Sequence, residues 1–238
     1  MDWLTRTELL FGEEKMNRLR QANVLVVGLG GVGAYAVEQL VRAGIGNITI
    51  VDSDTVNPSN RNRQLVALVS TEGQMKADVV ATRLKDINPE LNLTVIDEFI
   101  KHERIPEILD TQKYDFVVDA IDTLSPKVLL IAETYKRGIP LISSLGAGGK
   151  FDPSKIEITD ISKTHNCKLA RMVRKRLSKH QIKKGFTVVF SPETVDKNHV
   201  IEVDDELHKK TTVGTISYMP GIFGMFAASH VIRKLTEK

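Results

Sequence analysis

Residues 24–33 read VLVVGLGGVG and residues 50–64 read IVDSDTVNPSNRNRQ. The unbroken apolar run Val24–Val27 has the character of a strand covered on both faces. It ends in Gly28, Gly30 and Gly33, and AYAVEQLVRAG then continues at helical spacing. A strand, a glycine turn and a helix start in that order allow the backbone to approach a phosphate closely, and the N–H groups and dipole of the helix start favour its negative charge. A nucleotide is the expected ligand. Glycine spacing alone fits both NAD and ATP, and so does Asp52, which closes the strand NITIVD where a carboxylate can accept from ribose hydroxyls. The choice between them rests on Asn60, Arg63, Gln64 and Lys76, two cations and two amides brought toward the crevice. Two phosphates can be held by backbone N–H groups, whereas a triphosphate under attack needs concentrated positive charge around its leaving group. The reading is ATP.

Outward from this stretch the chain alternates. Residues 2–22 read as two short helical pieces, the first carrying Arg6, and Pro58 breaks the chain after the acidic turn. A helix resumes over 73–87 with Lys76 near its start, LNLTVID is an alternating strand, and residues 103–111 form a short helix or turn around Pro106. YDFVVDAID is a second buried strand ending in Asp119 and Asp122, which places both carboxylates at the ligand crevice of an open sheet. One of the pair is expected to cap the helix that begins near Ser125, and the other, Asp122, to hold magnesium on the phosphates. The helix 126–138 and the strand PLISSLG complete a doubly wound parallel sheet over residues 1–146.

Beyond residue 146 the rhythm changes. A glycine turn with Lys150 leads to a short strand, IEITDI, and to a helix over 167–180. FTVVFS, HVIEV and GTISY are expected to extend the sheet as antiparallel members, and MPGIFGMFAASHVIRKL closes the chain as an apolar helix serving the core or a dimer contact. The fold class is therefore α/β, a Rossmann-like, doubly wound and mostly parallel sheet with a C-terminal antiparallel extension. Residues 1–238 form one domain, with a nucleotide-binding core over 1–146 and an extension for substrate and dimer contact over 147–238.

Composition narrows the class. Forty-two per cent hydrophobic and 26% charged residues describe an ordinary globular protein. The net charge of +3 matters less than its distribution, because residues 168–184 hold nine Lys, Arg or His and no acid. There Lys168, Arg171, Arg174, Lys175 and Lys179 accompany Leu169, Val173 and Leu177 at helical spacing. A charge run is ordinarily a solvated face, yet one without balancing acids favours binding to a phosphate backbone. The lone Cys167 excludes an internal disulfide and a four-cysteine zinc site and fits a reducing compartment. With no signal segment and no convincing membrane span, the cytoplasm is the expected location and stable membrane insertion is not expected.

The ordered set GLGGVG, IVDSDTVNPSNRNRQ, Lys76 and VVDAID resembles the ubiquitin-activating-type (ThiF/MoeB/HesA) adenylating superfamily. The resemblance implies ATP binding by Gly28, Gly30, Gly33, Asp52, Asn60, Arg63, Gln64 and Lys76, with magnesium on Asp122. It also implies a homodimer in which Arg6 reaches the neighbouring subunit's ATP site, although Thr7 and Glu8 replace the usual neighbours. DPSKIEITDISKT, VRKRLSK, FTVVFSPE and GTISYMPGIFGMFAASHVI look like the tRNA threonylcarbamoyladenosine dehydratase branch, with HNCKL standing where that branch carries a DPL-type segment. That branch implies tRNA as the substrate and ATP-driven closure of threonylcarbamoyladenosine, next to the anticodon, to a cyclic form. A sulfur-transfer protein is a candidate partner.

The residues account for such chemistry. A carboxylate is a poor electrophile, and transfer of AMP to it creates a leaving group, with pyrophosphate departing among Arg63, Lys76, magnesium and the partner's Arg6. Ring closure by a nitrogen of the same modified base is intramolecular and needs orientation more than a strong base. The principal rival is an enzyme that adenylates the C-terminus of a ubiquitin-like or sulfur-carrier protein, in which Cys167 forms a thioester. Against it, one cysteine cannot supply the two CxxC zinc pairs that carrier-activating members often contain. An NAD oxidoreductase is disfavoured by the SNRNRQ element and Lys76, and a vestigial, non-catalytic binding protein by the completeness of the ATP set.

Overall fold

The computed structural model describes residues 2–100, 103–206 and 209–237. Its seven-stranded sheet is built from β1 (Asn23–Val27), β2 (Asn47–Val51), β3 (Asn92–Ile96), β4 (Phe116–Asp119), β5 (Leu141–Ser144), β6 (Glu157–Asp160) and β7 (Thr187–Phe190), ordered β3-β2-β1-β4-β5-β7-β6. Every neighbouring pair is parallel except β6 with β7.

The apolar run of β1 is continuous because both faces of the sheet are covered. Val24 and Val26 pack into one core with the helices α2 (Glu13–Gln21), α3 (Gly33–Arg42), α4 (Lys76–Ile87) and α8 (Tyr218–Thr236). Leu25 and Val27 face the other, with α5 (Arg104–Asp110), α6 (Leu124–Lys136) and α7 (Lys168–Leu177). The strand order departs to either side of β1 and β4, so a crevice opens at their C-terminal ends, where ligands of open α/β sheets bind. Met219 and Phe223 of α8 are fully buried against α3, as expected for core, while Met225 is exposed. Among the described residues no helix is long and apolar enough to cross a membrane.

The C-terminal third departs from expectation in two respects. FTVVFS runs parallel, not antiparallel, beside β5. The reason is α7: its buried Ala170, Val173 and Leu177 pack on the same side as α6 and return the chain to the edge in the direction of β5, leaving β6 to close the sheet antiparallel. HVIEV joins not the sheet but β8 (Val200–Glu206), paired with β9 (Lys209–Val213) in a separate two-stranded ribbon, and GTISY is the link from that ribbon into α8.

Candidate functional site: a nucleotide crevice

The glycine turn after β1 tolerates no side chain at two of its positions. Gly28 has φ +90° and a Cβ there would lie 2.8 Å from the carbonyl oxygen of Ala120, while one on Gly33 would lie 1.7 Å from the carbonyl oxygen of Gly28. These contacts press the turn against the end of β4 and aim α3 at the crevice. Val32 at the N-cap provides no side-chain bond; in the first turn of α3 the Ala34 N–H donates to the Gly30 carbonyl at 3.3 Å, and the helix start points its positive dipole end at the crevice.

Asp52 locks this turn to the acidic turn after β2. Its Oδ2 accepts from the Leu29 N–H at 2.5 Å and its Oδ1 from the Asp54 N–H at 2.8 Å. Each oxygen keeps a second lone pair for a ribose hydroxyl. Burial pushes the Asp52 carboxyl above the usual range, against the pull of nearby Lys76 and the two N–H donors.

The SNRNRQ turn packs over the glycines. Asn60 is buried, accepting the Asn57 N–H on Oδ1 at 3.1 Å and so fixing the entry to the turn. The Arg63 carbonyl and the Gln64 amide reach Gly31 and Gly30 respectively. Arg63 Nη1 donates to the Ser59 carbonyl at 3.0 Å and to Asn62 Oδ1 at 2.8 Å. Gln64 Oε1 is buried with no hydrogen-bond partner, an acceptor left over beside the glycine turn. Lys76, the first residue of α4, is buried with Nζ 2.8 Å from Asp54 Oδ2. A cradle closed to side chains, an unmatched buried acceptor and a buried ammonium fit a nucleoside polyphosphate.

Asp122 is exposed in the turn between β4 and α6. Among the described residues no cluster of three His, Cys, Asp or Glu side chains is arranged for a metal. One carboxylate from the protein is what magnesium takes when phosphate oxygens and water supply its other ligands, in contrast to an all-protein cage. Asp119 is not the helix cap it was expected to be, for Thr123 occupies the N-cap of α6 without a side-chain bond. Asp119 is instead sealed beneath the crevice, where its Oδ2 accepts from Lys127 Nζ and from Ser143 Oγ, each at 2.6 Å. Sequence reading missed Lys127, although Lys127, Leu130, Ile131 and Thr134 repeat at i, i+3, i+4 and i+7 and all are buried.

The other expected residues lie on the N-terminal helix and on or just after α7. Arg6 is exposed on α1 (Thr5–Phe11), flanked by exposed Trp3, Leu9 and Leu10. On α7, Lys168, Arg171 and Lys175 are exposed around the buried stripe, and Lys179 is exposed in the 3₁₀ turn Ser178–His180 that follows it. Arg174 departs from that set: its guanidinium folds back onto the Thr164 hydroxyl and, at 2.9 Å, the Thr164 carbonyl, and so braces the loop before the helix. Cys167 is buried at the N-cap of α7 and its Sγ accepts the Ala170 N–H, a structural capping role in place of an exposed nucleophile.

Fold and crevice together define an α/β protein of the Rossmann-like, doubly wound type, with a glycine turn built for a nucleotide. The chain belongs to the ThiF family, whose model it matches over residues 4–238. It is 41% identical over 240 residues to the tRNA threonylcarbamoyladenosine dehydratase of Bacillus subtilis, covering 98% of this chain and 94% of that one. The crystal structure of the Escherichia coli tRNA N6-threonylcarbamoyladenosine dehydratase in complex with ATP matches with a TM-score of 0.88 and 37% identity, over 98% of this chain and 93% of that one. The molybdopterin-synthase adenylyltransferase of Salmonella typhimurium is 35% identical over 133 residues, covering 56% of this chain and 53% of that one. The family resemblance carried by the motifs is borne out.

Proposed function

We propose that this protein dehydrates N6-threonylcarbamoyladenosine in tRNA, next to the anticodon, by using ATP to adenylate its carboxylate. The observation that carries the proposal is coverage: similarity to a dehydratase spans 98% of the chain, α7, the ribbon and α8 included, whereas similarity to a carrier-type adenylyltransferase spans 56%.

In this reading the glycine turn and the start of α3 bind the phosphates, Asp52 accepts from the ribose and Gln64 Oε1 finds its missing donor. A carboxylate oxygen of the substrate attacks the α-phosphorus and pyrophosphate leaves. Lys76 exchanges Asp54 for a phosphate oxygen and stabilises that departure together with Arg63, which Asn62 orients. A nitrogen of the same modified base then attacks the acyl carbon, its proton passes to solvent, and AMP leaves with one carboxylate oxygen, so that the base has lost one water. Asp122 would hold magnesium, which would supply positive charge to the phosphates. The apolar exposure around Arg6 on α1 supports a homodimer in which Arg6 serves the neighbouring site, and the free, buried cysteine accords with a reducing cytoplasm.

The test is mass spectrometry of tRNA nucleosides after incubation of the purified chain with modified tRNA, ATP and magnesium. ATP-dependent loss of one water from threonylcarbamoyladenosine is the expected result. No loss, together with pyrophosphate exchange that depends on a small carrier protein, would hand the site to the carrier-activating reading.

A further inference from the structure

Two exposed aromatic side chains belong to no part of the machinery above. Phe151 is 71% exposed and Tyr218 43%. They are tied together, for Tyr218 Oη donates to the Phe151 carbonyl at 2.7 Å. With Lys155, Asn166, Pro192, Glu193 and Thr194, Phe151 lines an open cavity of about 510 Å³, inside the range of roughly 300–1,000 Å³ that small ligands occupy.

The cavity wall is firmly built. Glu193 accepts the N–H groups of Phe151 and Asp152 on Oε1, each at 3.2 Å, and the Ser191 hydroxyl on Oε2 at 2.9 Å. Buried Lys150 donates its ammonium to the Glu193 carbonyl. The backbone that carries Phe151 is therefore held at the cavity wall while the residue stays largely exposed.

Position gives the cavity its meaning. Phe151 and Glu193 follow the C-terminal ends of β5 and β7, the edge of the sheet at which the nucleotide crevice opens. The N-terminal turn of α8 joins the two places: Tyr218 holds the Phe151 carbonyl, and the Pro220 ring lies 2.9 Å from where a Cβ on Gly31 would stand. Asn62 of the SNRNRQ turn donates to the Thr215 carbonyl just upstream at 3.0 Å. On the far rim, Asn166 leads into α7 with its exposed Lys168 and Arg171.

A single exposed phenyl or a single basic helix is ordinary surface. An aromatic face, a polar cavity and unbalanced cations beside a nucleotide site are the combination by which proteins take up an unstacked base. We propose that this cavity receives a nucleobase of the RNA substrate, stacked on Phe151 beside Tyr218, with Asn166 and Thr194 available to the base edge and Lys168 and Arg171 on the adjoining phosphates. The inference rests on tRNA being the substrate.

The test uses the full chain and an anticodon stem-loop RNA bearing the modified adenosine. Phe151→Ala should weaken RNA binding on the order of 5- to 30-fold, the equivalent of roughly 1–2 kcal/mol. Phe151→Trp should restore it, and both variants should bind ATP as the wild type does. With 2-aminopurine in place of the modified base, the change in fluorescence on binding should be shared by the wild type and Phe151→Trp and be lost in Phe151→Ala. The two readings fail separately. No conversion of the modified nucleoside by the wild type overturns the proposed function, whereas full conversion with unaltered RNA affinity in Phe151→Ala overturns the cavity alone. So would a change in oligomeric state confined to that variant, which would mean that a second copy of the chain covers the ring.

Discussion

Two buried lysines stand at the starts of helices on the same edge of the sheet, and they differ in what their partners are free to do. Lys127 and Asp119 are both 0% exposed, and Lys127 Nζ donates also to Ser143 Oγ at 3.1 Å and to the Ser144 carbonyl at 2.9 Å. Lys76 is 5% exposed but its partner's side chain, that of Asp54, is 68% exposed. A buried ammonium needs a negative partner. Asp119 has no water to turn to, so that pair is fixed and braces the turn that carries Asp122. Asp54 can rotate into solvent and leave Lys76 to a phosphate oxygen. What separates chemistry from architecture here is the exchangeability of the partner, since residue type and burial are shared.

Substitutions can break this contrast. Lys127→Ala leaves Asp119 charged and unpaired in the core and should cost about 3–5 kcal/mol, read from the denaturant midpoint. The double variant Lys127→Met with Asp119→Leu should recover most of that loss. Lys76→Ala should lower ATP-dependent turnover about 10²- to 10³-fold with a nearly unchanged midpoint, because Asp54 is already solvated. Equal destabilisation by the two lysine variants would erase the contrast. Asn62→Ala removes one of the two acceptors of Arg63 Nη1 and leaves the Ser59 carbonyl, so it should raise KM for ATP about 5-fold, roughly 1 kcal/mol, with kcat less affected. The smallest effect is a control from the opposite edge, where His230 packs edge-on against Phe116. Burial, aided by Arg233 and Lys234, lowers its pKa from 6.5 to about 4. The unfolded chain then binds the extra proton between those values, so this contribution is complete above pH 6.5 and is lost as pH falls toward 4. His230→Phe should flatten the stability profile in that window and leave turnover at neutral pH unchanged.

The crevice was largely legible because its signals are local. Gly33 answers to the Gly28 carbonyl within one turn, and Asp52, Asn60, Arg63, Gln64 and Lys76 follow in a single run after two readable strands. What escaped depends on distant partners. VVDAID suggests a cap at Asp119 because Ser143, on the neighbouring strand, cannot be seen from it, although the stripe through Lys127 carries a warning. The direction of β7 was misjudged because short strands after residue 146 carry no mark of orientation, which α7 decides by packing beside α6. Arg174 looked like its exposed neighbours until Thr164 claimed it.

The central claim, that one oxygen of the carboxylate leaves on AMP, can be tested with an oxygen label. Modified tRNA carrying ¹⁸O in the threonyl carboxylate is converted by the wild-type chain with ATP, and the products are weighed. The account predicts one labelled oxygen in AMP and none in pyrophosphate. Label in inorganic phosphate, with ADP formed in place of AMP, would contradict it and move the attack from the α- to the γ-phosphorus.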